Sequence, residues 1–449
     1  MRALLVIGAA AALLGPGAAQ AELAVPGIHE AMLVTAPGGR PIVAYTRGSA
    51  LFVSSRSSAG HWRARRALAL PGRRARVVGL AERRGRVLAL VEGRNRRWLG
   101  LAVRSSGRWS WTPLVAHLRG RRALGTAGLA VDHGGRAIVA YTIWRSETGL
   151  SSLLLAYCNP NGGVETERVT LNGFPPSYVP PPAAPVVMPG GAVHVLESWG
   201  TIGSITTIEW IPVRSSWIGQ VLDAGTNDFP IGRLITAVGR RGTVYVAWTE
   251  VSLAAEDTDV FFAARGHYIT TYLLFDQALL TGFILTPRGP EAAGNIWVAP
   301  PDLGLEGNEL LYAGQVTGPA GRVEFDARVE AFARGPRGSR QLLLDGERGL
   351  SWFRTPGPLT PRVQLDADPQ DDGTVLLRGR VGRFLGGTVK IYRERPGTRR
   401  QLAAMVPVAP DGSFSATDLP PQRPLVYRAV YVDPLSGLPY ARLLRDPVF

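Results

Sequence analysis

The sequence predicts an all-β protein, a six-bladed β-propeller with seven blades as the alternative, followed by a β-sandwich. Three observations support this prediction. Glycine and proline supply 54 and 35 of the 449 residues, a share of turn formers that disfavours helical bundles. A β-like phrase recurs about every 50 residues along much of the chain. After a proline-rich stretch at 355–361, short segments of alternating apolar and polar residues replace the repeat.

The N-terminus has the pattern of a secretory signal peptide. Arg2 precedes an apolar run at 3–14 and the small-residue motif Ala19-Gln20-Ala21, which is typical of a cleavage site. An apolar run of this length is too short for a membrane-spanning helix, which needs about 20 residues. We therefore expect residues 1–21 to be removed. The mature protein should have no membrane span and be secreted or extracellular, either free or associated with the cell surface.

The repeated phrase is a glycine turn followed by a strand of the form Val-Ala-aromatic-Thr. Its six copies begin at glycines spaced 46 to 56 residues apart: Gly39, Gly85, Gly135, Gly191, Gly242 and Gly294. Units of this length match propeller blades of four strands, a to d, with an apolar strand b near the axis. A second phrase places Trp62, Trp109 and Trp217 at the start of strand d, where they predict packing between blades. A solenoid is the rival architecture, but units that contain only strands favour a closed ring.

These phrases resemble those of sialidase-like propellers with degenerate bacterial neuraminidase repeats. The resemblance covers about residues 28–354 and rests on Val43-Ala44-Tyr45-Thr46 and on the Ser-Ser-x-Gly-x-Trp turn that ends at Trp62. It implies a propeller and, for a sialidase, an arginine triad with Tyr, Glu and Asp on separate blades. The turns at 56–62 and 104–109 lack the family's aspartate, and no residues can be assigned to the triad. We therefore expect no hydrolysis of sialosides.

The C-terminal part predicts an immunoglobulin-like β-sandwich at 362–449. Seven short alternating segments lie within 90 residues, which is typical of sandwiches. The phrase at 427–431, Tyr-Arg-Ala-Val-Tyr, resembles the immunoglobulin-like or fibronectin-type modules appended to secreted bacterial proteins. The predicted division is a propeller at 22–354, a linker at 355–361 and the sandwich.

The residues that could form a metal site or act as a nucleophile are better explained by structural roles. Cys158 is the only cysteine, and its apolar setting indicates the end of a buried strand. His194 and Glu197 should point to opposite faces of a strand, which disfavours a zinc site. The aspartates at 366–372 indicate a polar turn, with calcium as the alternative. We expect no cofactor and no metal.

Positive charge is concentrated near the N-terminus. The net charge is +15, and residues 22–125 hold 20 arginines against four glutamates. In a propeller the d-to-a and b-to-c loops share one rim, so nine of these arginines should lie on one face. The ligand-binding candidates are Arg73, Arg74, Arg94, Arg96, Arg97, Arg121, Arg122, Trp144 and Trp199. Acidic loops of later blades should reach the same rim with Glu147, Glu250, Glu256, Asp257, Asp259, Asp302 and Glu306.

Two function classes fit these features. We favour a secreted, non-catalytic protein whose rim binds an anionic polysaccharide or another cell-envelope polymer, because arginine pairs phosphate and carboxylate groups in two places. Nucleic acid is disfavoured because the chain is predicted to be exported and no aromatic residues interleave with these turns. The alternative is a glycan-cleaving, sialidase-like hydrolase with two rim carboxylates about 5 to 10 Å apart. A third explanation is that codon bias and the need for solubility account for the arginines, with no ligand bound to them. The oligomeric state is not predicted.

Overall fold

The computed structural model confirms the all-β class. It describes residues 21–22, 31–57, 61–72, 74–170, 177, 179–201, 204–214, 216–225, 229–239, 241–252, 257–264, 270–275, 278–298, 311–319, 321–346, 349–355, 359, 362–382, 387–395, 400–421, 425–433, 438–444 and 448. Helical structure in these residues is limited to 3-10 turns at Pro37–Gly39 and Pro336–Gly338. None of their helices is long and apolar enough to cross a membrane.

The first three quarters of the chain form four-stranded antiparallel sheets, which we number as blades in chain order. The first strand, β1 (Ala21–Glu22), belongs to the last of them. Blade 1 contains β2 (Met32–Thr35), β3 (Pro41–Arg47), β4 (Ala50–Arg56) and β5 (Trp62–Ala69). Blade 2 contains β6 (Ala75–Arg83), β7 (Arg86–Gly93), β8 (Leu99–Ser105) and β9 (Arg108–Val115). Blade 3 has a split inner strand and contains β10 (Arg122–Leu124), β11 (Gly128–Val131), β12 (Ala137–Arg145), β13 (Ser151–Cys158) and β14 (Val164–Arg168).

The later blades repeat the same pattern. Blade 4 contains β15 (Ala183–Val187), β16 (Val193–Thr201), β17 (Ser204–Val213) and β18 (Ser216–Gly225). Blade 5 contains β19 (Phe229–Val238), β20 (Val244–Ser252), β21 (Asp257–Ala264) and β22 (Thr270–Phe275). Blade 6 contains β23 (Ala278–Thr286), β24 (Gly289–Val298), β25 (Leu311–Gly318) and β26 (Gly321–Phe325). Blade 7 contains β27 (Arg328–Arg334), β28 (Arg340–Gly346) and β29 (Gly349–Thr355), and β1 is its outer strand.

The blades close into a ring. Each innermost strand contacts the innermost strand of the next blade, from β2 through β6, β11, β15, β19 and β23 to β27, and β27 contacts β2. The pairing of Ala21 with Trp352 joins the start of the chain to the last blade. The seven sheets of the described residues therefore surround one axis, with each inner strand running along it.

The threonine of the repeated phrase links neighbouring blades. Thr46 donates its hydroxyl hydrogen to the Ala75 carbonyl of blade 2 at 2.6 Å. Thr142 does the same to the Pro181 carbonyl, just before blade 4, at 2.5 Å. Thr249 accepts a hydrogen bond from the first strand of blade 6 at 3.1 Å. The three copies that end in threonine, in blades 1, 3 and 5, therefore each form a hydrogen bond with the main chain at the adjacent blade.

The glycine of the phrase fits the turn between strands a and b. Gly85 and Gly135 have φ angles of 78° and 87°, in the left-handed region that glycine adopts without a steric penalty. The sixth copy is out of register with the others. Gly294 lies inside β24, and the corresponding turn of blade 6 is at Gly289.

The tryptophans at the start of strand d pack against the preceding blade, as the sequence predicts. The Trp62 ring meets the Trp352 ring of blade 7 edge to face, with centroids 6.1 Å apart. Trp217 donates its indole hydrogen to Glu167 of blade 3 at 2.8 Å. Trp109 packs against the core between blades 1 and 2.

The C-terminal strands form the two sheets of the predicted sandwich. The strands are β30 (Val363–Pro369), β31 (Val375–Val381), β32 (Thr388–Glu394), β33 (Gln401–Pro407), β34 (Ser413–Asp418), β35 (Val426–Val432) and β36 (Pro439–Leu443). One sheet has the order β30-β31-β34, and the other has the order β36-β35-β32-β33. The second sheet continues blade 6, because β36 pairs with β26. The immunoglobulin-like resemblance and the domain division at 355–361 stay predictions.

Buried ion pairs hold the C-terminal sheets against blade 6. Asp326, which follows β26, accepts hydrogen bonds from Arg400 at 2.6 Å and from Arg428 at 3.4 Å. Arg428 also pairs with Glu394 at 2.7 Å. Arg442 lies 3.4 Å from Glu324. The sandwich is thus docked on the propeller, a contact that the sequence analysis did not predict.

Candidate functional site

The arginine-rich loops of blades 2 and 3 form one connected rim. The Arg94 amide donates to the Arg74 carbonyl at 2.8 Å, and the Leu124 amide donates to the Arg96 carbonyl at 2.8 Å. The Arg97 carbonyl accepts from the Leu118 amide at 2.7 Å. These main-chain bonds fix the d-to-a and b-to-c loops against each other on the predicted face.

The side chains of the candidate arginines differ in exposure. Those of Arg74, Arg94, Arg121 and Arg122 are exposed, and those of Arg96 and Arg97 are half-buried. Arg121 lies 3.7 Å from Glu147, a solvent-exposed pair that contributes little stability. Arg73 lies outside the described residues.

Arg96 lies close to two charged residues of the inner strands of blade 2. Burial lowers the pKa of its guanidinium, and the positive charge of Arg76 lowers it further, whereas Glu92 acts in the opposite direction. These influences place Arg96 near an arginine and a glutamate of the inner two strands of blade 2. Arg96 therefore connects the rim loops to the axial residues described below.

The two candidate tryptophans are not exposed platforms. Trp199 is only 5% exposed and packs in the core between blades 3 and 4, so the rim does not present its ring to a ligand. Trp144 is half-buried and donates its indole hydrogen to the Ser177 carbonyl at 2.8 Å. The sequence suggested Trp199 as a residue beyond the end of an inner strand, but it lies within β16, where the neighbouring blade covers its ring.

The predicted acidic loops are only partly described. Glu250 is buried and accepts a hydrogen bond from the Trp248 indole at 2.5 Å. Asp257 and Asp259 belong to β21, where they lie opposite Ser252 and Glu250, respectively, in the strand register with β20. The other three acidic residues, Glu256, Asp302 and Glu306, lie outside the described residues.

A cavity of about 420 Å³ lies on the axis at the rim that carries the arginine-rich loops. We call it the axial pocket. Inner strands begin at this rim, and their first residues line the cavity. The charged lining residues are Arg76 of β6, Arg233 of β19, and Arg328 and Glu330 of β27. Its walls also include Thr126, Thr249 and the apolar side chains of Val77, Val78 and Leu280.

Arg76 is neutralised by a carboxylate behind it. Its Nε donates to Glu92 Oε1 at 2.7 Å, and the Glu92 side chain is fully buried. Burial raises the pKa of Glu92, while the charges of Arg76 and Arg96 act in the opposite direction. This pair therefore contributes little net charge to the axial pocket.

Arg233 is the central cation of the pocket. Its guanidinium crosses from blade 5 to donate to the Met32 thioether sulfur of blade 1 and to the Thr281 carbonyl of blade 6. Burial lowers its pKa to about 10, and the positive charge of Arg76 acts in the same direction, whereas Glu330 opposes the change. Arg233 is therefore still protonated at neutral pH. It separates the axial pocket from an inner cavity of about 190 Å³ that both Arg233 and Met32 also line.

Arg233, Arg328 and Glu330 were not among the site residues predicted from the sequence. A signal was available, because charged residues are unexpected on inner strands packed between neighbouring blades. Arg328 and Glu330 both line the pocket, although the pairing of β27 with β28 shifts register between Val329 and Ala331. With Arg76 neutralised by Glu92, the guanidinium groups of Arg233 and Arg328 exceed the one remaining carboxylate, Glu330. This excess suits an anionic group, which arginine can bind through two parallel hydrogen bonds.

Other chemically active groups fit the structural interpretations that the sequence suggested. Cys158 is buried, and burial raises the pKa of its thiol to about 11, so the thiol stays protonated at neutral pH. His194 contacts Glu209 at 2.5 Å within blade 4. Asp372 accepts two hydrogen bonds from Thr374, at 2.9 and 2.6 Å, within the turn after β30. The described residues contain no group of three His, Cys, Asp or Glu side chains arranged for a metal.

Comparison with known proteins gives distant similarities of fold. No family model matches the chain, and no curated protein matches its sequence. An ulvan lyase of polysaccharide lyase family PL25, solved bound to -[GlcA(1-4)Rha3S]-, aligns with a TM-score of 0.43 and 11% identity over 59% of this chain and 76% of its own. Polysaccharide lyase Uly1 aligns with a TM-score of 0.40 and 9% identity, over 89% of this chain and 98% of its own. A thermostable family-43 glycoside hydrolase aligns with a TM-score of 0.33 and 11% identity, over 55% of this chain and 92% of its own. These similarities assign no residue roles, and the specific resemblance to sialidase-like propellers stays a prediction.

Proposed function

We propose that the protein binds an acidic polysaccharide at the rim that carries the axial pocket, without cleaving it. The observation that supports this proposal best is the setting of Arg233. Its protonated guanidinium donates to two neutral acceptors, the Met32 sulfur and the Thr281 carbonyl, within a cavity that also contains Arg328. A carboxylate or sulfate of the ligand would accept charged hydrogen bonds from Arg233 and Arg328 in this partly enclosed site.

The arginine-rich loops extend this site over the rim. Arg74, Arg94 and Arg121 are exposed on the loops of the same face, and the half-buried Arg96 is close to Arg76 of the axial pocket. Neighbouring negative charges along a polymer would thus meet a continuous basic surface. We place the protein outside the cytoplasm, as the signal-peptide pattern predicts, where it would contact an anionic envelope polymer.

The proposal is tested by measuring the affinity of the protein for two polymers, polygalacturonate, which carries carboxylates, and dextran sulfate, which carries sulfates. We expect Arg233→Gln and Arg328→Gln each to weaken binding by about tenfold or more, because each loses a charged hydrogen bond in a partly enclosed site. Arg65→Gln, on the exposed outer strand β5, is the matched control and should bind like the wild type. Circular dichroism would verify that the variants are folded. Unchanged affinity of folded Arg233→Gln for both polymers would contradict the proposal.

The glycan-cleaving alternative is tested in the same samples. Hydrolysis by paired carboxylates requires a second acid about 5 to 10 Å from Glu330. We expect the wild type to release no new chain ends from either polymer. Release of chain ends by the wild type, abolished in Glu330→Gln, would replace the binding function with the enzymatic one.

A further inference from the structure

A second basic depression lies on the opposite face of the propeller. It has a volume of about 630 Å³ and lies where the inner strands of blades 7, 1 and 2 end. Its charged residues are Glu82, Arg83, Arg84 and Arg334. We call it the lower site. Its walls are completed by the small residues of the turns at 36–39 and 335–336.

The charges of the lower site are poorly neutralised. Arg84 is exposed, and no described residue pairs with it. Arg83 approaches only the His133 ring, at 3.5 Å, and Arg334 donates to a main-chain carbonyl at 3.3 Å. Glu82 accepts a hydrogen bond from the Gly85 amide at 2.8 Å, within its own turn. The site therefore has an excess of positive charge among its described residues.

The backbone gives an independent indication. Arg84 has a φ of 51° and precedes Gly85, whose φ is 78°. Arg337 and Gly338 repeat this two-residue turn in blade 7, with φ values of 54° and 77°. Such turns favour Asn before Gly, because the Cβ of most other residues is strained at positive φ. Arg84 therefore has a local conformational cost within the lower site, where Asn would fit the turn better.

The two basic sites are separated by the length of an inner strand. Arg76 and Arg83 lie near opposite ends of β6, and Arg328 and Arg334 occupy opposite ends of β27. At about 3.3 Å per residue, the two sites are roughly 20 Å apart along the axis. They open on opposite faces, because one lies at the d-to-a rim and the other at the a-to-b turns.

We infer that the lower site is a second binding site for an acidic polysaccharide, so that one protein molecule bridges two polymer chains. The inference rests on the proposed function for the class of ligand. Double-stranded or single-stranded nucleic acid is the competing polyanion. The described residues lining the lower site include no aromatic side chain on which a base could stack, which favours the polysaccharide.

A capture assay with the full-length protein tests bridging. The protein is bound to immobilised polygalacturonate, and labelled polygalacturonate is then supplied in solution. The lower-site variant combines Arg83→Ser, Arg84→Asn and Arg334→Ser. The matched control combines Arg63→Ser, Arg65→Ser and Arg66→Ser, three exposed arginines of β5.

We expect the wild type and the control to capture the labelled polymer. The lower-site variant should stay on the surface while its capture falls by about tenfold or more.

Each other result overturns the inference. Capture by the lower-site variant at the wild-type level would show that bridging uses another surface or a dimer. Equal loss in the control would show that net charge alone is responsible. Capture of labelled duplex DNA in preference to polygalacturonate would assign the site to nucleic acid. Failure of the proposed function is distinguishable, because Arg233→Gln would then bind the immobilised polymer as well as the wild type does.

Discussion

Glu197 shows how the propeller buries a single carboxyl group. It lies on β16, is only 1% exposed and accepts a hydrogen bond from the Trp210 indole at 3.3 Å. Burial raises its pKa from the usual 4.5 to about 7, while hydrogen bonds from Trp199, Trp210 and Ser151 act in the opposite direction. Between these two pH values the unfolded chain loses a proton that the folded protein keeps. The folded state therefore loses stability as the pH rises from 4.5 to 7.

We expect Glu197→Gln to remove this pH-dependent loss. The amide keeps an acceptor for Trp210 but never ionises, so the variant should be more stable than the wild type at pH 8, by up to about 3 kcal/mol. The gain should become small at pH 4.5. Thermal unfolding at both pH values measures the difference, with the exposed Glu165→Gln as control. A stability difference that is equal at both pH values would disprove this assignment.

Arg84, in the lower site, has a strained backbone conformation with a φ of 51°. We expect Arg84→Asn to stabilise the protein by about 1 kcal/mol, because Asn tolerates the left-handed region at the first position of this turn. Arg84→Ala removes the same charge without this conformational benefit, and we expect it to give no such gain. Urea denaturation distinguishes the two substitutions. Equal stabilisation by both would attribute the effect to charge instead of conformation.

At the scale of elements, the contact that repeats around the ring is a threonine hydrogen bond to the next blade. Thr142 is fully buried, and its bond to the Pro181 carbonyl joins blade 3 to blade 4. We expect Thr142→Val to destabilise the protein by about 1 to 3 kcal/mol, because the buried carbonyl loses its donor. Thr112→Val, on the outer strand β9, serves as control. Urea midpoints that do not differ between these variants would show that the bond is not a main stabilising contact.

The elements also show how far sequence reasoning extends. The Val-Ala-aromatic-Thr phrase predicted blades because it marks inner strands, and its threonine forms the same contact in blades 1, 3 and 5. No copy of the phrase marks blade 7, which the sequence allowed only as the alternative, because its strand β28, Arg340–Gly346, has leucines where the phrase has Val-Ala-aromatic. The rim loops were predicted because their position follows from strand order alone. The axial pocket was not, since Arg76, Arg233 and Arg328 come together only when blades 2, 5 and 7 surround one axis.

At the scale of the whole molecule, the C-terminal sheets are joined to the propeller by the pairing of β36 with β26 and by the ion pairs of Asp326. The sequence predicts a seam at 355–361 but not this contact, because Asp326 and Arg428 are 102 residues apart. Cleavage within the predicted seam should therefore yield two fragments that stay associated. We expect Asp326→Asn to weaken this association, because Arg400 and Arg428 would lose their shared carboxylate.

Gel filtration after limited proteolysis measures this association. Asp366→Asn, an exposed residue of β30 at the same junction, is the matched control and should leave the fragments together. Separate elution of the wild-type fragments would show that the sandwich is only tethered.

The central claim is that the axial pocket binds an anionic group of a polysaccharide. A crystal structure of the protein soaked with trigalacturonate tests it most directly. The account predicts a carboxylate of the ligand within hydrogen-bond distance of the guanidinium groups of Arg233 and Arg328, about 2.7 to 2.9 Å from their nitrogens. An axial pocket that contains only water, with the ligand bound elsewhere on the molecule, would contradict it.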